Sequence, residues 1–260
     1  MNTTDRQVRL LGAGGIAGPA AFLACWIAGG VIARGDLSPS ADAISRLAAA
    51  GADTRWMMAT GFISFGVGVG AVALAVRAVI DGPPWLAIAG TAAATALVAS
   101  APLDVSPTVG RLHAAFALAG YVTLIAAPIL AARPLRDRGF TRLAAVGRGA
   151  AGVAAVALAL SVVGPATGLL QRIGLTAVDV WLIALATLIA TGRLTRVHEA
   201  RAQRVAPSHA DARSAATDPT DARTAADADT GADSRARSAA TDPATWSGTA
   251  GATPAAHPAA

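Results

Sequence analysis

The chain has 260 residues, 54% of them hydrophobic, and a formal charge of +5 from 21 basic residues against 16 acids. A basic balance of that kind would suit a nucleic-acid binder, but no arginine cluster comes with the aromatic stacking residues or fold motifs such a role uses, so nucleic acid is excluded as a partner. A single cysteine, Cys25, excludes a disulfide frame and a thiolate metal site within one chain. Neither H-E-x-x-H nor H-x-x-x-H occurs, and no metal or cofactor is expected.

Six long, apolar, nearly charge-free stretches follow one another, at about residues 11–33, 56–80, 85–103, 112–132, 146–166 and 173–192. Each approaches or exceeds the roughly 20 residues that a helix needs to cross a bilayer core of about 30 Å. No water reaches that core to satisfy backbone groups, and none of the stretches alternates as a barrel strand would, so uninterrupted helices are the form they predict. The expected architecture is an all-α polytopic bundle of six transmembrane helices over residues 1–195, followed by a tail over 196–260.

The first stretch contains Gly12-Ala13-Gly14-Gly15-Ile16-Ala17, with Asp36 further on, which fits a dinucleotide-binding fingerprint. Its context refuses that role, because a Rossmann helix has one polar face and this run has no charge until Arg34. Phe22-Leu23-Ala24-Cys25 fits a lipoprotein cleavage signal poorly, and the apolar run continues past it, so Cys25 reads as a small residue inside a helix. Gly14 with Gly18, and Gly66 with Gly70, have the small-xxx-small spacing that lets helix backbones approach in lipid. Packing within the bundle is the expected use, with dimerisation as the alternative.

Between the first two stretches, Arg34 to Arg55 forms a loop in which Ser40 to Ala50 reads as a short helix, with Ile44, Leu47 and Ala48 on one face and Ser40 as its cap. It is expected to lie on the membrane surface or fold over the bundle mouth. Asp81-Gly82-Pro83-Pro84 is a tight turn, and Arg133 to Arg142 a short basic loop. After Leu194 the chain has no Leu, Ile, Phe or Met, and Arg213 to Pro219 recurs as Arg237 to Pro243. Such a composition cannot bury enough apolar surface to offset backbone ordering, so the tail is expected to be disordered.

Charge sets orientation. Arg6 and Arg9, Arg77, Arg133 to Arg148, and Arg193 to Arg204 fall at alternate connections, whereas the other side has Arg34, Arg46, Arg55, Arg111 and Arg172, mostly mixed with Asp36, Asp42, Asp53 and Asp104. The positive-inside rule then places both termini in the cytoplasm and the protein in the cytoplasmic membrane.

The residues with chemical potential gather on the opposite, external side: Ser45, Asp104, Arg111, His113, Gln171, Arg172 and Asp179. Asp179 stands about six residues into the last predicted span, where an unpaired carboxylate requires a partner or a water-filled cavity. One reading is an ion pair with Arg172 or Arg111 that locks helices together. The other is a polar pocket, in which Asp104 and His113 are the catalytic candidates and Ser45, Arg111, Gln171, Arg172 and Asp179 the binding ones.

SPSADAISRLAAAGADTRWMMATGFISFGVGVG from Ser38, PLDVSPTVGRLHAAFALAGYV from Pro102 and GLLQRIGL from Gly168 together resemble the bacterial and archaeal membrane family catalogued as domain of unknown function 998. The resemblance covers about residues 8–195, implies the six-helix architecture, and picks out Ser45, Asp104, His113, Gln171 and Arg172. Arg46 stands where that pattern has an acid, and no aromatic residue adjoins Gly35. No activity comes with the resemblance.

The leading expectation is a membrane protein that binds a lipid, a small amphiphile or a partner membrane protein through its external polar cluster. An intramembrane hydrolase or transferase acting on lipid-linked substrates is the alternative, and a small-solute transporter the third. Reporter fusions at Arg138 and after Arg204 are expected to read cytoplasm, and fusions at Asp53 and Val105 the opposite side. An external signal after Arg204 overturns the six-span topology.

Overall fold

The computed structural model describes residues 3–197, so the expectation of disorder for the tail lies outside the described residues from 198 onward. Six long α-helices and a short 3-10 helix dominate the described part: α1 Thr3–Ile32, the 3-10 turn Ile44–Ala48, α2 Arg55–Val79, α3 Pro84–Ser100, α4 Pro107–Asp137, α5 Thr141–Val163 and α6 Thr167–Ala190, with residues 193–197 helical again after α6. Among the described residues there is no strand. Five of the helices are long and apolar enough to cross a membrane, while α3 is shorter at 17 residues. At 1.5 Å per residue α3 still rises about 25 Å.

Local chemistry explains most of the boundaries. Gly82 takes φ 92° in the turn after α2, and Pro84 opens α3, where its missing N–H costs nothing. Ala101 precedes Pro102, which disfavours helical backbone there and ends α3. Ser106 then caps α4, its side chain accepting from the Val109 amide at 3.3 Å. That cap starts α4 five residues earlier than the apolar pattern alone predicts, so Arg111 and His113 lie within the helix. At its other end α4 continues to Asp137, shortening the expected basic loop to the turn before α5.

The largest correction concerns α6, which begins at Thr167 instead of near 173. Gly164 and Pro165 break the chain, and the Thr167 hydroxyl donates to the carbonyls of Ser161 and Gly164 at 2.8 and 3.1 Å, closing the turn. Asp179 therefore lies twelve residues into a 24-residue helix, about 18 Å from its start. It is a mid-helix residue, not one near the helix mouth.

The six helices form a ring in which each packs on its neighbours in sequence and α6 closes onto α1. Close contact of α1 with α2 rests on glycine. A Cβ added at Gly18 would come within 2.7 Å of the Gly68 Cα, and one at Gly68 within 2.7 Å of the Gly14 carbonyl. Gly66 and Gly70 instead face Ala92 of α3, so the two predicted glycine pairs serve two different interfaces, both within the chain. Trp181 of α6, 1% exposed, fills the opposite wall and donates its indole N–H to the Leu143 carbonyl of α5 at 3.1 Å. At the arginine-rich end, Arg138 pairs with Asp81 at 2.7 Å and ties the α4–α5 turn to the α2–α3 turn.

Replacing Gly18 or Gly68 with leucine should overpack the α1–α2 contact and cost about 1–3 kcal/mol. Gly30, with nothing within 4 Å of an added Cβ, should accept leucine with little change. Thermal unfolding of the three variants in detergent checks the ordering.

Candidate functional site

The loop between α1 and α2 folds over one end of the ring. Ser40 does not cap a helix as expected, and only Ile44–Ala48 turns, as a 3-10 helix with no side-chain cap. Burial explains the change: Ile44 and Leu47 are each 1% exposed, driven in among the helix ends. The segment is a plug, not a surface helix.

Polar bonds from α6 hold the plug. Gln171 accepts from the Ile44 amide at 2.7 Å. Arg172 donates to the carbonyls of Pro39 and Asp42 at 2.7 and 3.0 Å and lies over the Trp26 ring at 5.5 Å. Gly168, one turn earlier, leaves room for the loop, since an added Cβ would stand 2.7 Å from the Pro39 carbonyl. Residues three and four apart share a helix face, so Gly168, Gln171 and Arg172 act as one clamp. The Leu169 amide adds a bond to the Ser40 carbonyl at 3.0 Å.

Beneath the plug is a cavity of about 70 Å³, room for several water molecules. Phe22, Phe62, Phe65, Phe116, Val98 and Leu124 give it apolar walls, and Phe22 stacks obliquely on Phe62 and Phe65 at 5.6 and 5.1 Å. Ser45, Thr91, Thr95, His113, Tyr121, Gln171 and Asp179 supply its polar groups. The Gln171 amide N–H donates to the Tyr121 hydroxyl, so one side chain links the plug to the cavity wall. His113, 6% exposed, bonds through Nδ1 to the Ala101 carbonyl at 2.7 Å. A carbonyl only accepts, so Nδ1 carries the proton and Nε2 remains for a second partner.

Asp179 is 0% exposed, and neither carboxylate oxygen has a hydrogen-bond partner among the described residues. The expected ion pair is not formed. Arg172 is committed to the plug, and Arg111 is exposed on α4, bonded to Thr108 at 3.3 Å. A charged, uncompensated carboxylate in the middle of a membrane-spanning helix costs about 3 kcal/mol or more, so of the groups around the cavity Asp179 has the strongest need of a partner.

Of the sequence candidates, the fold brings together Ser45, His113, Gln171 and Asp179 around the cavity, and places Arg172 in the clamp. Asp104 is elsewhere. It sits at φ 65° in the α3–α4 turn and accepts two bonds from Arg46 at 3.0 Å, with the two side chains 53% and 42% exposed. The arginine that departs from the resemblance is thus its partner, and Asp104 and His113 do not form an acid–base pair. Tyr121, Thr91 and Thr95 were missed, because a hydroxyl inside an apolar helix has no spacing signal. Among the described residues no group of histidine, cysteine or acidic side chains is placed to hold a metal.

Residues 16–188 match the family model described as "Protein of unknown function (DUF998)". The match spans more than half of the chain, which belongs to that family. Neither a curated protein nor a solved structure matches it.

Changing Gln171 to leucine leaves the Ile44 amide and the Tyr121 hydroxyl without their partner, a loss of about 1–3 kcal/mol. In a Cys25→Ser background, a cysteine introduced at Ser45 should react faster with a water-soluble maleimide once Gln171 or Gly168 is changed. Unchanged labelling would show that the clamp does not hold the plug.

Proposed function

We propose that this family member, whose family carries no assigned activity, binds a small amphiphile inside the helix ring, beneath the plug. The observation that carries the reading is the cavity itself: aromatic and aliphatic walls with a few convergent polar groups, ending on a buried carboxyl group without a partner among the described residues. Such a composition is typical of small-molecule sites, where apolar area gives affinity and isolated polar groups give orientation. The recognition surface is then an interior chamber reached from the plugged end, and not an exposed polar cluster on an outer face. With the arginine-rich end in the cytoplasm, that chamber opens toward the external side of the cytoplasmic membrane.

Binding is favoured over catalysis because Arg46 holds Asp104 away from His113. A partner membrane protein would require a docking face, and the exposed apolar side chains, such as Val67, Val156 and Val163, are spread around the ring as lipid contact requires.

The test is mass spectrometry of lipids and metabolites on protein purified in native lipid particles. One small amphiphile should be enriched over the surrounding bilayer and lost from Ala117→Phe, which fills the cavity from α4. A bound fraction identical to bulk lipid, and indifferent to Ala117→Phe, overturns the reading.

A further inference from the structure

One buried polar group of the cavity lacks a partner among the described residues, and that narrows what can occupy it. Neither lysine nor arginine lines it, and the nearest arginine of α6, Arg172, is engaged with the Pro39 and Asp42 carbonyls at the plug. The hydroxyls of Thr91 and Thr95 are spent on helix carbonyls and on Thr123, at 2.9–3.1 Å. The Gln171 carbonyl is taken by the plug and its amide by Tyr121. Asp179 has both oxygens unpartnered among the described residues, is fully buried, and faces the same space as four phenylalanines.

Two features of that space select for positive charge. A buried carboxylate is stabilised by an opposite charge that also supplies hydrogen-bond donors, which an ammonium group does and an alcohol does only in part. Aromatic faces attract cations further through their quadrupoles, most strongly where water is excluded. Resting on the reading of the cavity as a ligand site, we propose that the chamber takes a small organic amine in its protonated form, its ammonium on Asp179 and its apolar body among Phe22, Phe62, Phe65 and Phe116. An anionic or zwitterionic head would set a second negative charge against the carboxylate. A neutral amphiphile of the same shape would leave one oxygen or both unsatisfied.

Benzylamine and benzyl alcohol have the same shape and differ in the one group at issue. Their affinities at pH 7, where the amine is protonated, are to be measured by titration calorimetry on the full chain in lipid nanodiscs, for the unsubstituted protein and for Asp179→Asn, Asp179→Ser and Ala117→Phe. The expected result is at least a tenfold preference for the amine, falling to about twofold or less in both neutral variants. Having two neutral variants keeps the test intact if one fails to fold. Equal affinity for the two probes, or a preference that survives loss of the carboxyl group, overturns the amine assignment and leaves the cavity reading standing. If neither probe binds, or both bind with affinities that Ala117→Phe leaves unchanged, the amine assignment and the cavity reading fall together.

Discussion

Close approach of helix backbones in lipid is the constraint on which this molecule depends. Hydrocarbon tails are as apolar as leucine, so no hydrophobic force drives one helix against another, and association rests on packing and on hydrogen bonds between helices. Gly14, Gly18 and Gly68 bring α1 and α2 together, and Gly66 and Gly70 seat α2 on α3. The ring then encloses a space lined by larger side chains, which leave a cavity between them. Four phenylalanines around a cavity, beside glycine-rich seams, are two consequences of one distribution of residue sizes.

The same logic governs the polar groups. A plug built from a loop brings unpaired backbone carbonyls and amides to the mouth of a membrane bundle, where each needs a partner. The first turns of α6 provide them, with Gln171 and Arg172 reaching the loop and Gly168 allowing it near. Gln171 also bonds to Tyr121, which places one amide between the entrance and the interior. Gln171 thus bridges the loop and the cavity wall, beside Ile44 and Ser45 of the plug, which line the cavity themselves.

Arg46 and Asp104 show how a local departure from the family pattern fixes one side chain's partner. An acid at position 46 would repel Asp104 instead of pairing with it. The arginine instead holds it with two bonds at 3.0 Å. His113, satisfied at Nδ1 by the Ala101 carbonyl, faces the cavity without an acidic partner from the α3–α4 turn.

Six apolar stretches, the glycine spacings and the alternation of arginines were legible in the sequence, because helix length, backbone approach and charge sidedness are properties of the chain read one residue after another. The start of α6 was misplaced because Gln171 and Arg172 read as a polar break, when their polarity is satisfied by a loop more than a hundred residues away in sequence. Asp179 stood out as costly from its type and setting alone, yet its expected partners were wrong. Spacing puts Arg172 on nearly the same helical face, but cannot say that the plug claims its guanidinium first. Competition among partners is decided by which segments the fold brings to one end of the ring, so the unpaired carboxyl group and the cavity around it exist only in three dimensions.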